Sequence, residues 1–291
     1  MVGGQNEQWK RTAKIAVPPE RLYWTGFEVI MRTVMRWMGG LICLAGCLLA
    51  AAVPAHCQQI RDGQSLLTAM HDRYKDSWYE SVVFKEKAIT LNPIEGNKTE
   101  VWDEALQLPG KLRINRGAAS DGNGFVFVDG TLTTFEKGKS TGTRPFVHML
   151  LVLGFDVYRQ DPKTTIDIVK SQGFDLTKLH EEKWDGEDVY VVGAAKGDLK
   201  SKQFWIEKRR LLFVRLIEPD RSEVTKTHDT RFLDYRKLST GWISARVEFY
   251  VSGKNTFNED YFDIKADAKF DPALFDPAKF NETKISNDAK Q

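Results

Sequence analysis

The chain has 291 residues and an apolar fraction of 42%, enough to build a sizeable core. Its 42 lysines and arginines stand against 40 aspartates and glutamates, a net charge of +2 without the one-signed excess of a nucleic-acid binder or an acidic solvating tail. With 22 glycines and 10 prolines it is neither collagen-like nor low-complexity, and no heptad run suggests a coiled coil.

Residues 38–53 read MGGLICLAGCLLAAAV, preceded by Arg32 and Arg36 and followed by Pro54, Ala55, His56, Cys57 and the polar Gln58 and Gln59. A charged region, a short apolar run and a small-residue exit make a secretory signal. The run falls short of the roughly 20 residues of a bilayer span, so the segment is expected to be cleaved. Met31 or Met35 is the expected true start, because the mixed polar residues 1–30 precede a signal that belongs at the extreme N-terminus. Cleavage after Cys57, or after Ala55, makes 1–57 an extension plus signal and 58–291 a single mature domain, exported and soluble. The alternative is Leu44-Ala45-Gly46-Cys47, a lipobox-like run that would acylate Cys47 and anchor the chain to a membrane. All three cysteines, Cys43, Cys47 and Cys57, lie here, so a chain starting at Gln58 has no disulfide, thiolate metal site or cysteine nucleophile.

After Asp62, the helical spacing of Leu66, Leu67, Met70 and Tyr74 predicts a helix over 63–76. Strands are predicted around Val82 to Ala88, 101–108, 112–114, 125–128 and 131–135, with Asp129-Gly130 as a hairpin turn. A helix over 145–153 opens at Pro145 and is apolar nearly all round. A second, over 162–172, has Asp161 as N-cap, Pro162 at its first position and Gly173 as terminator. Strands resume at 179–184 and 189–195 across Asp185-Gly186. The segment 202–217 is two strands joined at Lys208-Arg209-Arg210, and 230–238, 242–251 and 261–266 complete a meander of roughly ten strands. Ile243, Ala245, Val247, Phe249 and Val251 alternate with Trp242, Ser244, Arg246, Glu248 and Tyr250, so one face is expected to be apolar and the other to meet water.

Catalytic patterns are absent. His71, His148, His180 and His228 have no metal-ligand spacing, Thr133 stands where a phosphate-binding loop ending at Lys139-Ser140 needs glycine, and there is no G-x-S-x-G. His228, beside Asp229 and near Asp234, reads as a residue on an exposed strand edge. No metal, cofactor or catalytic residue is predicted.

What remains is the concave face of a curled sheet, lined by Leu112, Ile114, Phe204, Ile206, Leu212, Val214, Val247 and Phe249 and covered by helices. It is either a filled core or a cavity with the 145–153 helix as a lid. On the cavity reading the ligand-binding candidates are Leu112, Ile114, Phe146, Met149, Leu150, Leu153, Phe204, Ile206, Val247 and Phe249.

The exported chain, its leading helix, long antiparallel meander and mid-chain helix pair, the terminal run Phe270-Asp271-Pro272-Ala273-Leu274-Phe275-Asp276, and Phe204-Trp205-Ile206-Glu207-Lys208 ahead of a strand ending in Arg215 resemble the LolA/LolB superfamily of bacterial periplasmic lipoprotein carriers. The resemblance spans about residues 60–280. It implies a mainly β (α+β) fold, an unclosed antiparallel β-barrel with about three helices over its concave face. It also implies outer-membrane lipoprotein sorting: a monomer that binds acyl chains of lipoproteins or lipids, meets inner- and outer-membrane proteins transiently, and needs no nucleic acid, cofactor or catalysis. An envelope lipid or stress sensor acting through a protein partner is the alternative, and a periplasmic hydrolase the third.

Overall fold

The computed structural model describes residues 59–285 except Arg221 and Val224. The expected start codon, signal cleavage and Cys47 acylation lie outside these residues. Among the described residues no helix is long and apolar enough to cross a membrane.

Thirteen antiparallel strands form one sheet: β1 (Ser81–Thr90), β2 (Lys98–Gln107), β3 (Lys111–Arg116), β4 (Asn123–Val128), β5 (Thr131–Glu136), β6 (Lys139–Pro145), β7 (Leu179–Trp184), β8 (Glu187–Val192), β9 (Gln203–Glu207), β10 (Leu212–Pro219), β11 (Thr227–Lys237), β12 (Trp242–Val251) and β13 (Lys254–Ala266). Their order is β6-β5-β4-β3-β2-β1-β13-β12-β11-β10-β9-β8-β7, two meanders joined where β1 pairs with β13. The last strand of the first meander, β6, and the first strand of the second, β7, are the two edges, so the sheet does not close into a barrel. Helices α2 (Met149–Gly154) and α3 (Pro162–Ser171) lie in the connection between those edges. This is the unclosed, mainly β architecture with three helices that the resemblance implies.

Local chemistry explains the element ends. Helix α1 (Gly63–Tyr74) starts at a capping box, Asp62 accepting from the Ser65 N–H while Ser65 Oγ accepts from the Asp62 N–H, and buries Leu66, Leu67, Met70 and Tyr74. Asp161 caps α3 and Pro162 occupies its first position. The Asp129-Gly130 and Asp185-Gly186 turns have positive φ at both residues, as two-residue hairpins require. The charged Lys208-Arg209-Arg210 turn is organised by buried Glu207, whose carboxylate accepts from the Arg209 and Arg210 N–H groups and from Arg210 Nε.

Several sequence expectations are corrected. There are thirteen strands, not about ten; β6 (KSTGTRP) is exposed throughout and carries no apolar alternation to reveal it. Pro145 ends β6 opposite Thr131 and opens no helix. Helix α2 begins at Met149, with His148 as its N-cap. Val214 points away from the concave face: a register shift between Phe213 and Arg215 changes the strand's phase, so Leu212, Phe213 and Leu216 join the main core while Val214 packs with Val189, Val191 and Trp205. The opposite face does not simply meet water either, since Ser244 is buried there. His228 is exposed but lies on β11, which is paired on both sides, and bonds Asp220 at 2.7 Å.

The C-terminal segment covers part of the convex side. Asp271-Pro272-Ala273 and Asp276-Pro277-Ala278 each start a capped 3-10 turn. Leu274 and Phe275 then pack on Ala105, while Phe280 stacks on Phe135 with ring centroids 4.0 Å apart. Arg113, buried on β3, donates to the carbonyls of Leu274 (3.0 Å), Phe280 (2.7 Å) and Thr283 (3.1 Å) and to Thr283 Oγ1 (2.6 Å).

Candidate functional site

The main core fills most of the concave side but leaves a cavity of about 160 Å³ under α2. It is lined by Phe84 (β1), Glu104 and Leu106 (β2), Leu112 and Ile114 (β3), Phe232 (β11), Phe249 (β12), Glu259 and Tyr261 (β13), and by His148, Leu150, Leu151 and Phe155 from α2 and its flanks. A dry space of comparable size, about 150 Å³, takes a benzene-sized ligand. A second, open space of about 830 Å³ lies outside α2, between Arg144, Phe146, Val147, Met149 and the ends of β10 and β11. His148 and Leu150 line both, so the start of α2 is the partition between the inner cavity and the outer groove.

The ten predicted ligand residues divide accordingly. Leu112, Ile114, Leu150 and Phe249 line the cavity; Phe146, Met149 and Leu150 line the groove. Leu153, Phe204, Ile206 and Val247 line neither and are packed in the main core, 0–1% exposed.

Helix α2 is a single short element whose two sides have different fates. Leu151, Val152 and Leu153 are buried, and Gly154 lets the helix sit against Phe232, whose ring would lie 2.8 Å from a side-chain Cβ there. Leu150 is only half-buried. His148 accepts the Leu151 N–H through Nδ1 at 3.3 Å, with Phe127 and Phe146 edge-on to its ring. Burial lowers its pKa to about 4, so the imidazole is neutral at pH 7 and free to act as this acceptor.

Three carboxyls on the concave face were missed from sequence. Glu86 follows Phe84 and precedes Ala88 at period two, Glu104 precedes Leu106, and Glu259 precedes Tyr261, so strand alternation alone points all three inward. Glu86 is 0% exposed and neither of its oxygens accepts from an N–H or O–H group. Burial, then the neighbouring Glu259 and Glu104, push its pKa up strongly; burial raises Glu104 as well, and burial followed by Glu104 raises Glu259 to about 8. Tyr261 donates to Glu259 at 2.6 Å. Among the described residues no group of three or more His, Cys, Asp or Glu side chains has metal-binding geometry.

A fourth buried acid holds the connection after α2 to the β2–β3 turn: Asp156 accepts the Gly110 N–H at 3.0 Å. Burial raises its pKa to about 7. A folded-state pKa above the unfolded value means that the folded protein holds an extra proton between about pH 4 and pH 7, so stability falls as pH rises through that window. Asp156→Asn keeps the acceptor without the charge. It is expected to raise the melting temperature at pH 8, by the equivalent of roughly 2–4 kcal/mol, and the difference from wild type should vanish towards pH 4. Thermal melts of both proteins across pH 4–8 check this, and a difference that does not vary with pH would contradict it.

No protein-family profile and no curated protein matches the sequence. The solved structures to which the chain is similar include the following three. A DUF1329 family protein from Desulfovibrio piger is 15% identical at a TM-score of 0.48, covering 73% of this chain and 95% of that one. A LolA superfamily protein from Nitrosomonas europaea is 12% identical at 0.47, covering 72% and 96%. A putative outer membrane lipoprotein-sorting protein domain from Vibrio parahaemolyticus is 13% identical at 0.46, covering 75% and 98%. The functional reading therefore rests on the cavity, its lining and its mouth.

Proposed function

We propose that this protein binds the acyl chains of lipids or lipoproteins in the periplasm and carries them between membranes, as a lipoprotein-sorting protein does. The observation that carries the reading is the largely apolar cavity beneath α2 in a sheet left open between β6 and β7, with the larger groove on the other side of the same helix. The inner cavity has room for only about one ring of carbons, so a longer chain must displace the start of α2 and run between Leu150 and His148 into the groove. Half-buried positions at the rim of a core open at lower free-energy cost than core strands, which suits the start of α2, around His148 and Leu150, to this motion.

Native mass spectrometry of protein gently purified from the cell envelope tests the reading. The expected result is a mass adduct that dissociates as a fatty-acyl species. A stable complex with one protein partner and no lipid would favour a sensor instead, and apo protein alone would count against binding.

A further inference from the structure

Apart from His148, the cavity lining is apolar except where β1, β2 and β13 meet. There Glu104 and Glu259 face the cavity and Glu86 sits beside them. The register fixes the group: Phe84 is opposite Glu104, Ala88 is opposite Glu259, and Glu86 lies between Trp102 and Tyr261. Glu104 is 5% exposed and its carboxyl neighbour is Glu86, itself fully buried and receiving no N–H or O–H hydrogen bond. The other titratable groups facing the cavity are Tyr261, already engaged with Glu259, and His148, neutral and engaged with the α2 backbone. Arg116, on the same face further along β3, lies over Trp102 and Phe125 and pairs with Glu100. Holding two buried acids and a half-buried third without a cation beside them costs stability, and a purely apolar ligand would gain nothing from them.

Resting on the acyl-chain reading, the geometry points to a subsite for a cationic nitrogen: the cavity takes the ammonium end of an amphiphile, such as an aminolipid or long-chain amine, against Glu104 and Glu259, with its chain leaving past Leu150. Empty, burial favours the protonated form of all three carboxyls, and the neighbouring acids raise Glu86 and Glu259 further. When R–NH₃⁺ enters, one carboxyl proton leaves to solvent and an ammonium–carboxylate pair remains, so the charge inside the cavity is unchanged. Ammonium and carboxylate then satisfy each other through charge-assisted hydrogen bonds, which a hydroxyl or carboxyl head of the same chain length lacks.

The test is calorimetric titration at pH 7 with dodecylamine, dodecanol and dodecanoate, and with putrescine as an amine without a chain. Dodecylamine is expected to bind roughly tenfold or more tighter than dodecanol, and in buffers of different ionisation enthalpy to release about one proton per molecule bound. In the Glu104→Gln/Glu259→Gln double variant the amine preference and proton release should disappear, and a cooperative thermal melt shows that the variant is folded. Equal affinities for the three chains would overturn the subsite and leave the acyl-chain reading standing. Putrescine binding as tightly as dodecylamine would overturn the amphiphile. Failure of all three chains to bind would remove both the acyl-chain reading and the inference built on it.

Discussion

Leu153→Asp is expected to abolish folding or lower the melting temperature severely, whereas Leu150→Asp, three residues earlier on the same helix, is expected to melt near wild type and lose acyl-chain binding. Leu153 is 0% exposed within the main core, so the new carboxylate would be buried without a partner, at a cost of about 4–5 kcal/mol or more. That is a large part of the 5–15 kcal/mol that holds a typical domain together. Leu150 is half-buried at the partition between cavity and groove, where an Asp can turn to water in the empty protein but would stand in the path of a chain. Thermal melts and binding of a fluorescent fatty acid on the same preparations check both. Collapse of Leu150→Asp together with Leu153→Asp would make the whole helix core and contradict its role as a lid.

The second large effect is expected at Arg113. Its guanidinium is 2% exposed, bonds three carbonyls and one hydroxyl of the C-terminal segment, and lies 4.3 Å from the centre of the Phe280 ring. Burial lowers its pKa to about 10, still cationic at pH 7. Arg113→Ala removes every donor at once and leaves the Leu274 and Phe280 carbonyls unsatisfied, for an expected loss of about 3–5 kcal/mol. Urea unfolding gives the magnitude, and limited proteolysis should show new cleavage within residues 270–285 before the sheet unfolds. Unchanged proteolysis would mean that Leu274, Phe275 and Phe280 hold the segment without Arg113.

Much of this fold is legible in the sequence because most of its strands carry an apolar side. Period-two alternation in 242–251 and the Asp-Gly turns at 129–130 and 185–186 place strands and hairpins with little else needed. Strand β6 escapes because an exposed edge strand has no face to bury. Val214 is misassigned because a bulge resets the phase, and the backbone event leaves no mark in composition. Pro145 looks like a helix opener, but it is also an ordinary strand end, and only pairing with β5 decides between the two. The pairing of β1 with β13, which brings Glu86 beside Glu259 from opposite ends of the chain, is a long-range contact that no local pattern specifies.

The site was legible to a different degree. Leu112, Ile114 and Phe249 follow from alternation, and Leu150 from the apolar helix, but alternation cannot separate residues that line a space from Phe204, Ile206 and Val247, which fill it. That distinction depends on how side-chain volumes sum across strands. The acids were readable one by one as glutamates at inward-facing positions, Glu86 between Phe84 and Ala88 above all; their meeting in one place was not.

The most direct test of acyl-chain binding under α2 is photocrosslinking with a diazirine-bearing palmitate, followed by peptide mapping of the adducts. The proposed path predicts labelling on β2, β3 and β12 and at the start of α2, around Leu106, Leu112, Ile114, Phe249 and Leu150, with competition by unlabelled palmitate. Adducts confined to the convex face, around Phe270 to Phe280 or Trp205, or labelling that palmitate does not compete away, would contradict it.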